Sequence, residues 1–141
     1  MIILDTDHMT FLEQLNSPER ERLQNRLRPF PEAEKSTTII SFEEQMRGWL
    51  AYLAQARSVK EQIDAYRRLL NQLHNYCRIR VLEFEEHAAT KLQRLLTEQI
   101  RIGTMDLKIA SIVLAHDALL LSRNLSDFRK VTGWKVGDWT Q

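Results

Sequence analysis

The chain has little of what several functional classes require. Its 141 residues contain one cysteine, Cys77, so no internal disulfide can form and no cysteine pair is available to a metal. Cys77 reads as a core residue rather than a nucleophile. The four glycines stand apart at positions 48, 103, 133 and 137, which excludes a phosphate-cradling loop and a dinucleotide fingerprint. His8, His74, His87 and His116 lack the spacing of zinc ligands. No apolar run approaches the roughly 20 residues that span a bilayer, and Asp5 and Asp7 stand where a secretory leader would carry a basic stretch. A cytoplasmic location without membrane contact is therefore expected. Charge of one sign is also missing: the net charge is +1, too small for a bulk field that gathers nucleic acid. Arginines cluster at Arg20, Arg22, Arg26 and Arg28, at Arg67 and Arg68, and at Arg78 and Arg80, but acids interleave most of them, the pattern of a solvated helix face.

What is present is the composition of a globular protein, 43% hydrophobic and 28% charged, at the length of one ordinary domain covering residues 1–141. The apolar run Met1 to Leu4 is too short for a helix and too continuous for an exposed strand, so it reads as a short buried strand. "STTIIS" after the breaker-rich "RPFPEAEK", then "IRVLEF", then "ALLLS" at Ala118 to Ser122, read as further strands, and "WKVGDW" as an edge strand. "SPERERLQNRL" opens a helix with Ser17 as cap and Pro18 at the first helical position. Residues 42–75 read as two long helices broken near Ser58. "EEHAATKLQRLLTEQ" and "TMDLKIASIVLAHD" supply two more. Such alternation predicts an α/β fold with a mostly parallel sheet of four to five strands flanked by helices. Trp49, Trp134 and Trp139 are too far apart to form a stacking platform and read as packing residues.

In open parallel sheets, ligands bind beyond the carboxyl ends of the strands, and acids collect there in this chain. Asp5 follows "MIIL", Glu43 and Glu44 follow "TTIIS", and Asp127 follows "ALLLS". Asp106 lies in the first turn of the helix that Thr104 is read to cap. Ile109, Ala110 and Val113 share its face, which turns the carboxylate inward. An inward carboxylate needs a partner, because an unpaired buried charge is expensive. The helix dipole offsets only about 0.3–1 kcal/mol. A divalent cation such as Mg2+ or Mn2+, which prefers carboxylate and water oxygens, would do more. Structural roles compete for some of these acids. Asp7 reads as the cap of a helix starting near His8. "SFEE" forms a capping box in which Glu44 would reach back to the Ser41 amide, and Asp127 is equally well read as the cap of a short helix "DFRKV". Asp5 and Asp106 have no such ready explanation.

Taken together, "ILDTDHMTFL", "TTIISFEEQMRG", "IGTMDLKIASIVLAHDALLLSRNLSDF" and the closing "VTGWKVGDW" resemble a PIN domain, specifically the VapC-type toxin ribonucleases of bacterial toxin–antitoxin pairs. The resemblance spans nearly the whole chain, with almost no signature between Trp49 and Gln99. It implies a metal-dependent endoribonuclease using Mg2+ or Mn2+. The family's acids fall on Asp5, Glu44 and Asp106. Where many PIN domains carry a fourth acid, this chain has Asn124, and Asp127 stands nearby as its substitute. Thr6, Thr104 and Ser122 are expected to orient carboxylates or hydrating waters, and Arg123 is a candidate phosphate contact. The implied partners are an RNA substrate, a cognate small antitoxin protein, and a second copy in a homodimer or a toxin–antitoxin hetero-oligomer. The amphipathic stretches Glu19 to Leu27 and Ile63 to Leu73 offer such surfaces, although most of their leucines read as core. A catalytically inactive PIN-like interaction module is the alternative function, and a haloacid-dehalogenase-like phosphotransferase, suggested by "IILDTD", is a more distant one.

Overall fold

A computed structural model describes residues 1–141. Five strands, β1 (Ile2–Leu4), β2 (Lys35–Thr38), β3 (Arg80–Leu82), β4 (Leu119–Leu121) and β5 (Lys135–Gly137), form one sheet in the order β3-β2-β1-β4-β5. Every pairing is parallel. Seven α-helices connect them: α1 (Thr6–Glu13), α2 (Pro18–Leu27), α3 (Ile39–Ala54), α4 (Val59–Cys77), α5 (Glu86–Thr97), α6 (Thr104–Ala115) and α7 (Leu125–Phe128). The expected α/β architecture is the one observed.

Side chains alternate across the strands, so the short sheet divides the core into two layers. Ile3 and Leu120 face α5, α6 and α7, where they meet Leu95, Ile109, Ile112, Val113 and Phe128. Ile2, Leu4 and Leu121 face the other way, onto Met9, Leu23, Leu27 and Tyr76. Leu23 is fully buried in this second layer. Leu23→Ala is expected to lower stability by about 2–5 kcal/mol, read as a shift of the denaturation midpoint at unchanged slope.

Several local expectations are corrected. The β-branched run "STTIIS" is strand only through Thr38. The Thr38 hydroxyl accepts the Ser41 N–H at 3.1 Å, and this cap turns Ile39, Ile40 and Ser41 into the first turn of α3 despite their strand propensity. Ser41 is thus inside the helix, and the "SFEE" capping box does not form. Asp5, not Asp7, caps α1. Gly103, not Thr104, occupies the cap of α6, and Asn124, not Asp127, that of α7. Cys77 ends α4 and is exposed. Leu23 and Leu27 are core, as read, but Ile63, Leu70 and Leu73 lie exposed on α4, because that helix packs against its neighbours through Ala65, Gln72 and Tyr76 on its opposite face. No helix is long and apolar enough to cross a membrane.

Candidate active site

The sheet order places β1 at the centre, with the chain leaving to β2 on one side and returning to β4 on the other. The crevice beyond the carboxyl ends of β1 and β4 is therefore the switch point where such sheets bind ligands. Asp5 stands there. Its backbone N–H continues the ladder to the Leu121 carbonyl at 2.9 Å, and its carboxylate accepts the Thr6 N–H at 2.7 Å and the Ser122 hydroxyl at 2.6 Å. Ser122, the first residue after β4, is fully buried, and it also accepts the Asn124 N–H at 3.0 Å.

Helices bring the other acids to the same end. Glu44 lies in the second turn of α3, where it accepts the Thr6 hydroxyl at 2.9 Å; the amide of the next residue, Gln45, donates to Thr10, one turn along α1, at 2.9 Å. These two bonds lace α3 to α1. Asp106 lies in the first turn of α6, next to the Asn124 amide, whose nitrogen donates to Asp106 at 3.0 Å and to Asp127 at 3.2 Å. Asn124 thus bridges two carboxylates from the position where a fourth acid was sought.

Basic partners sort these acids into two groups. Asp127 pairs with Lys130 at 3.1 Å, and Asp7 with His8 at 2.6 Å. Asp5, Glu44 and Asp106 have no basic partner. All three carboxyls titrate above the usual range. Burial pushes the Asp5 carboxyl up to about 7, helped by the charges of Asp7 and Asp106 and opposed by the Ser122 and Thr6 bonds. Burial also raises Glu44, with Asp106, Asp7 and Glu43 adding to the effect, and it raises Asp106, with Asp127 and Asp7 adding. Lys130 and then Asn124 hold Asp127 below the usual range. Ser122 bonds Asp5 and Asn124, two residues on, bonds Asp106, so Asp5 and Asp106 lie on one side of the molecule.

Three of the sequence-derived assignments fall differently. Thr104 is exposed at the start of α6 and bonds to none of the acids. Arg123 directs its guanidinium over the Phe11 ring at 5.2 Å and toward Asp138 at 3.9 Å, not into the space between the acids. Asp7, read as a helix cap, instead accepts the Arg123 N–H at 2.8 Å. No local signal marked that role, since the bond joins residues 116 apart.

The donor set suits a hard divalent ion. Asp5, Glu44 and Asp106 present carboxylate oxygens without a competing lysine or arginine, and Mg2+ commonly takes one or two protein carboxylates and completes its shell with water. The three are not drawn into a preformed three-ligand cluster. Each is turned toward a hydroxyl or amide, the arrangement expected of like charges solvated by local donors. A separate cavity of about 460 Å3, between α1, α2 and the end of α4, contains none of these acids.

Comparison with solved structures finds the same fold over essentially the whole chain. VapBC-1 from nontypeable Haemophilus influenzae aligns over 100% of both chains with a TM-score of 0.77 and 21% identity. DNA-bound VapBC from Salmonella typhimurium aligns over 98% of this chain and 97% of that one, with a TM-score of 0.77 and 19% identity. FitAcB from Neisseria gonorrhoeae gives a TM-score of 0.72 and 21% identity over 98% and 97%. No protein-family profile and no curated protein matches the chain. At such identities the likeness establishes the fold, a single α/β unit of the kind expected from the PIN resemblance.

Proposed function

We propose that this chain, which shares the fold of chains in VapBC toxin–antitoxin complexes, is a divalent-metal-dependent endoribonuclease acting as the toxin of such a pair. The observation that carries the reading is the gathering of Asp5, Glu44 and Asp106, partly or wholly buried and free of basic partners, at the switch point of a parallel sheet. The neighbouring acids Asp7 and Asp127 have an imidazole and an ammonium partner. These three do not.

Asp5, Glu44 and Asp106 would hold Mg2+ or Mn2+, which when bound lowers the pKa of a water and offsets charge developing on the phosphate. The chain's own residues hold the ligands in place. Ser122 and the Thr6 amide fix the two oxygens of Asp5, the Thr6 hydroxyl orients Glu44, and Asn124 orients Asp106. No side chain is positioned as a nucleophile, which suits hydrolysis by water. Asp127, already paired with Lys130, contributes through the Asn124 bridge. The partners consistent with this reading are an RNA substrate and a small antitoxin protein.

RNA incubated with the purified chain is expected to be cut internally in the presence of Mg2+ or Mn2+, to stay intact when excess chelator is added, and to be cut again when Mn2+ is restored. Glu44→Gln should slow the reaction by on the order of a hundredfold. Mapping of the new RNA ends after brief expression would identify the target. Cleavage that persists in chelator, or that Glu44→Gln leaves unchanged, would refute the metal-dependent reading. No cleavage of any RNA under all these conditions would favour the inactive interaction module.

A further inference from the structure

The imidazole of His8 is completely buried beside the proposed site, yet it has no part in the chemistry above. Both ring nitrogens are engaged. Nδ1 lies 2.6 Å from Asp7 Oδ1, and Nε2 accepts the Trp139 N–H at 3.3 Å. Because a backbone amide can only donate, Nε2 carries the lone pair and the proton sits on Nδ1, directed at Asp7. Asp138 Oδ1 lies 3.6 Å from Nε2, but it is already engaged by the Thr140 N–H at 2.8 Å and the Thr140 hydroxyl at 2.6 Å. His8 is thus a donor on one side and an acceptor on the other.

The far oxygen of Asp7 accepts the Arg123 N–H at 2.8 Å and lies 3.4 Å from the Ser122 hydroxyl. Arg123 sits between Ser122, which bonds Asp5, and Asn124, which bonds Asp106. The end of the chain is pinned in turn: the Arg22 Nε donates to the Thr140 carbonyl at 2.6 Å, and Arg26 donates to the Asp138 carbonyl at 3.2 Å. A continuous set of hydrogen bonds therefore runs from the closing segment, through His8 and Asp7, to the turn that aims two of the proposed ligands.

We infer that His8 is a positioning residue that locks the Asp7 carboxylate onto the Arg123 amide and so fixes the Ser122–Asn124 turn against Asp5 and Asp106. The inference rests on the reading of those acids as the site. Asp7 is a partly exposed side chain in the first turn of α1, and without a buried anchor its carboxylate is free to rotate into solvent. The anchoring makes the turn rigid before any ion arrives, which is how groups behind metal ligands set affinity.

Two substitutions separate the two ends of the imidazole. The amide nitrogen of His8→Asn reaches the place of Nδ1 and keeps the donor to Asp7. The amide of His8→Gln reaches the place of Nε2, keeps the acceptor for Trp139 and abandons Asp7. Amide hydrogen exchange at Arg123, measured without metal, should accelerate by on the order of tenfold in His8→Gln and remain near the unmodified rate in His8→Asn, with β1 amides unchanged in both. Mn2+ affinity, measured by calorimetry, should fall about ten- to a hundredfold in His8→Gln only. Equal behaviour of the two variants, whether both intact or both impaired, overturns the inference. If neither variant folds, the 15N spectrum of the unmodified imidazole decides: a proton on Nε2 overturns the lock, and a proton on Nδ1 coupled to Asp7 supports it. Should the unmodified chain take up no Mn2+ while the Arg123 exchange pattern holds, the metal-dependent function fails and the lock stands.

Discussion

Asp5→Asn is expected to raise the melting temperature at pH 8 while abolishing RNA cleavage. The Asp5 carboxyl is 5% exposed, and burial together with the charges of Asp7 and Asp106 lifts its pKa from 3.8 to about 7. A folded-state pKa above the unfolded one means that the unfolded chain ionises first. This group therefore costs nothing below about pH 4, costs progressively more as pH rises toward 7, and reaches its full penalty above that. The shift corresponds to on the order of 4 kcal/mol at most. A neutral amide of the same shape keeps an oxygen for the Thr6 N–H. It also offers an N–H to Ser122, whose hydroxyl can turn to Asp7. In chelator, the variant should gain several degrees at pH 8 and almost nothing at pH 4, measured by thermal denaturation at both pH values. Mn2+ should stabilise the unmodified protein at pH 8 and leave Asp5→Asn nearly unaffected. A variant no more stable than its parent at pH 8 would show that the carboxylate is satisfied as it stands.

Asp106→Asn should reduce cleavage at least about a hundredfold without loss of stability, because the carboxyl it removes is raised by burial and by the neighbouring Asp127. The informative companion is Asn124→Asp. The Asn124 amide donates to both Asp106 and Asp127, and a carboxylate in its place would lose both bonds and put a third negative charge between two. In chelator this variant should lose about 1–3 kcal/mol, the scale of hydrogen bonds to charged groups. Mn2+ should restore most of the loss, since a shared cation turns crowding into coordination. Unfolding curves with and without Mn2+ measure both effects. A destabilisation that Mn2+ does not relieve would place the ion away from Asn124, and full cleavage by Asp106→Asn would remove Asp106 from the site altogether.

How far the amino-acid order alone reveals this molecule depends on the range of the interaction. The buried run at Ile2–Leu4, the Ser17–Pro18 helix start and the break at Ser58 are local and are legible as such. Local rules failed where two of them competed. Thr38 both favours a strand and caps a helix, and the cap won, which moved Ser41 into α3 and left Glu44 free to meet Thr6 rather than its own helix end. The acids could be listed because strand ends and an apolar helix face single them out. Their partners could not be: Ser122 to Asp5, Arg123 to Asp7 and His8 to Trp139 each join segments more than 110 residues apart. Likewise, the leucines of α4 carry helical periodicity without saying which face meets the core, and Leu70 and Leu73 face outward.

The Ser122 hydroxyl reaches back across 117 residues to its acceptor on the fifth residue of the chain. In synthesis the acceptor therefore precedes its donor by more than a hundred residues. Until β4 is seated beside β1, the carboxylate at the centre of the sheet lacks its hydroxyl neighbour. On the proposed reading, the reactive corner is completed only when β4 docks, and translation would leave an interval in which a binding partner can meet the chain.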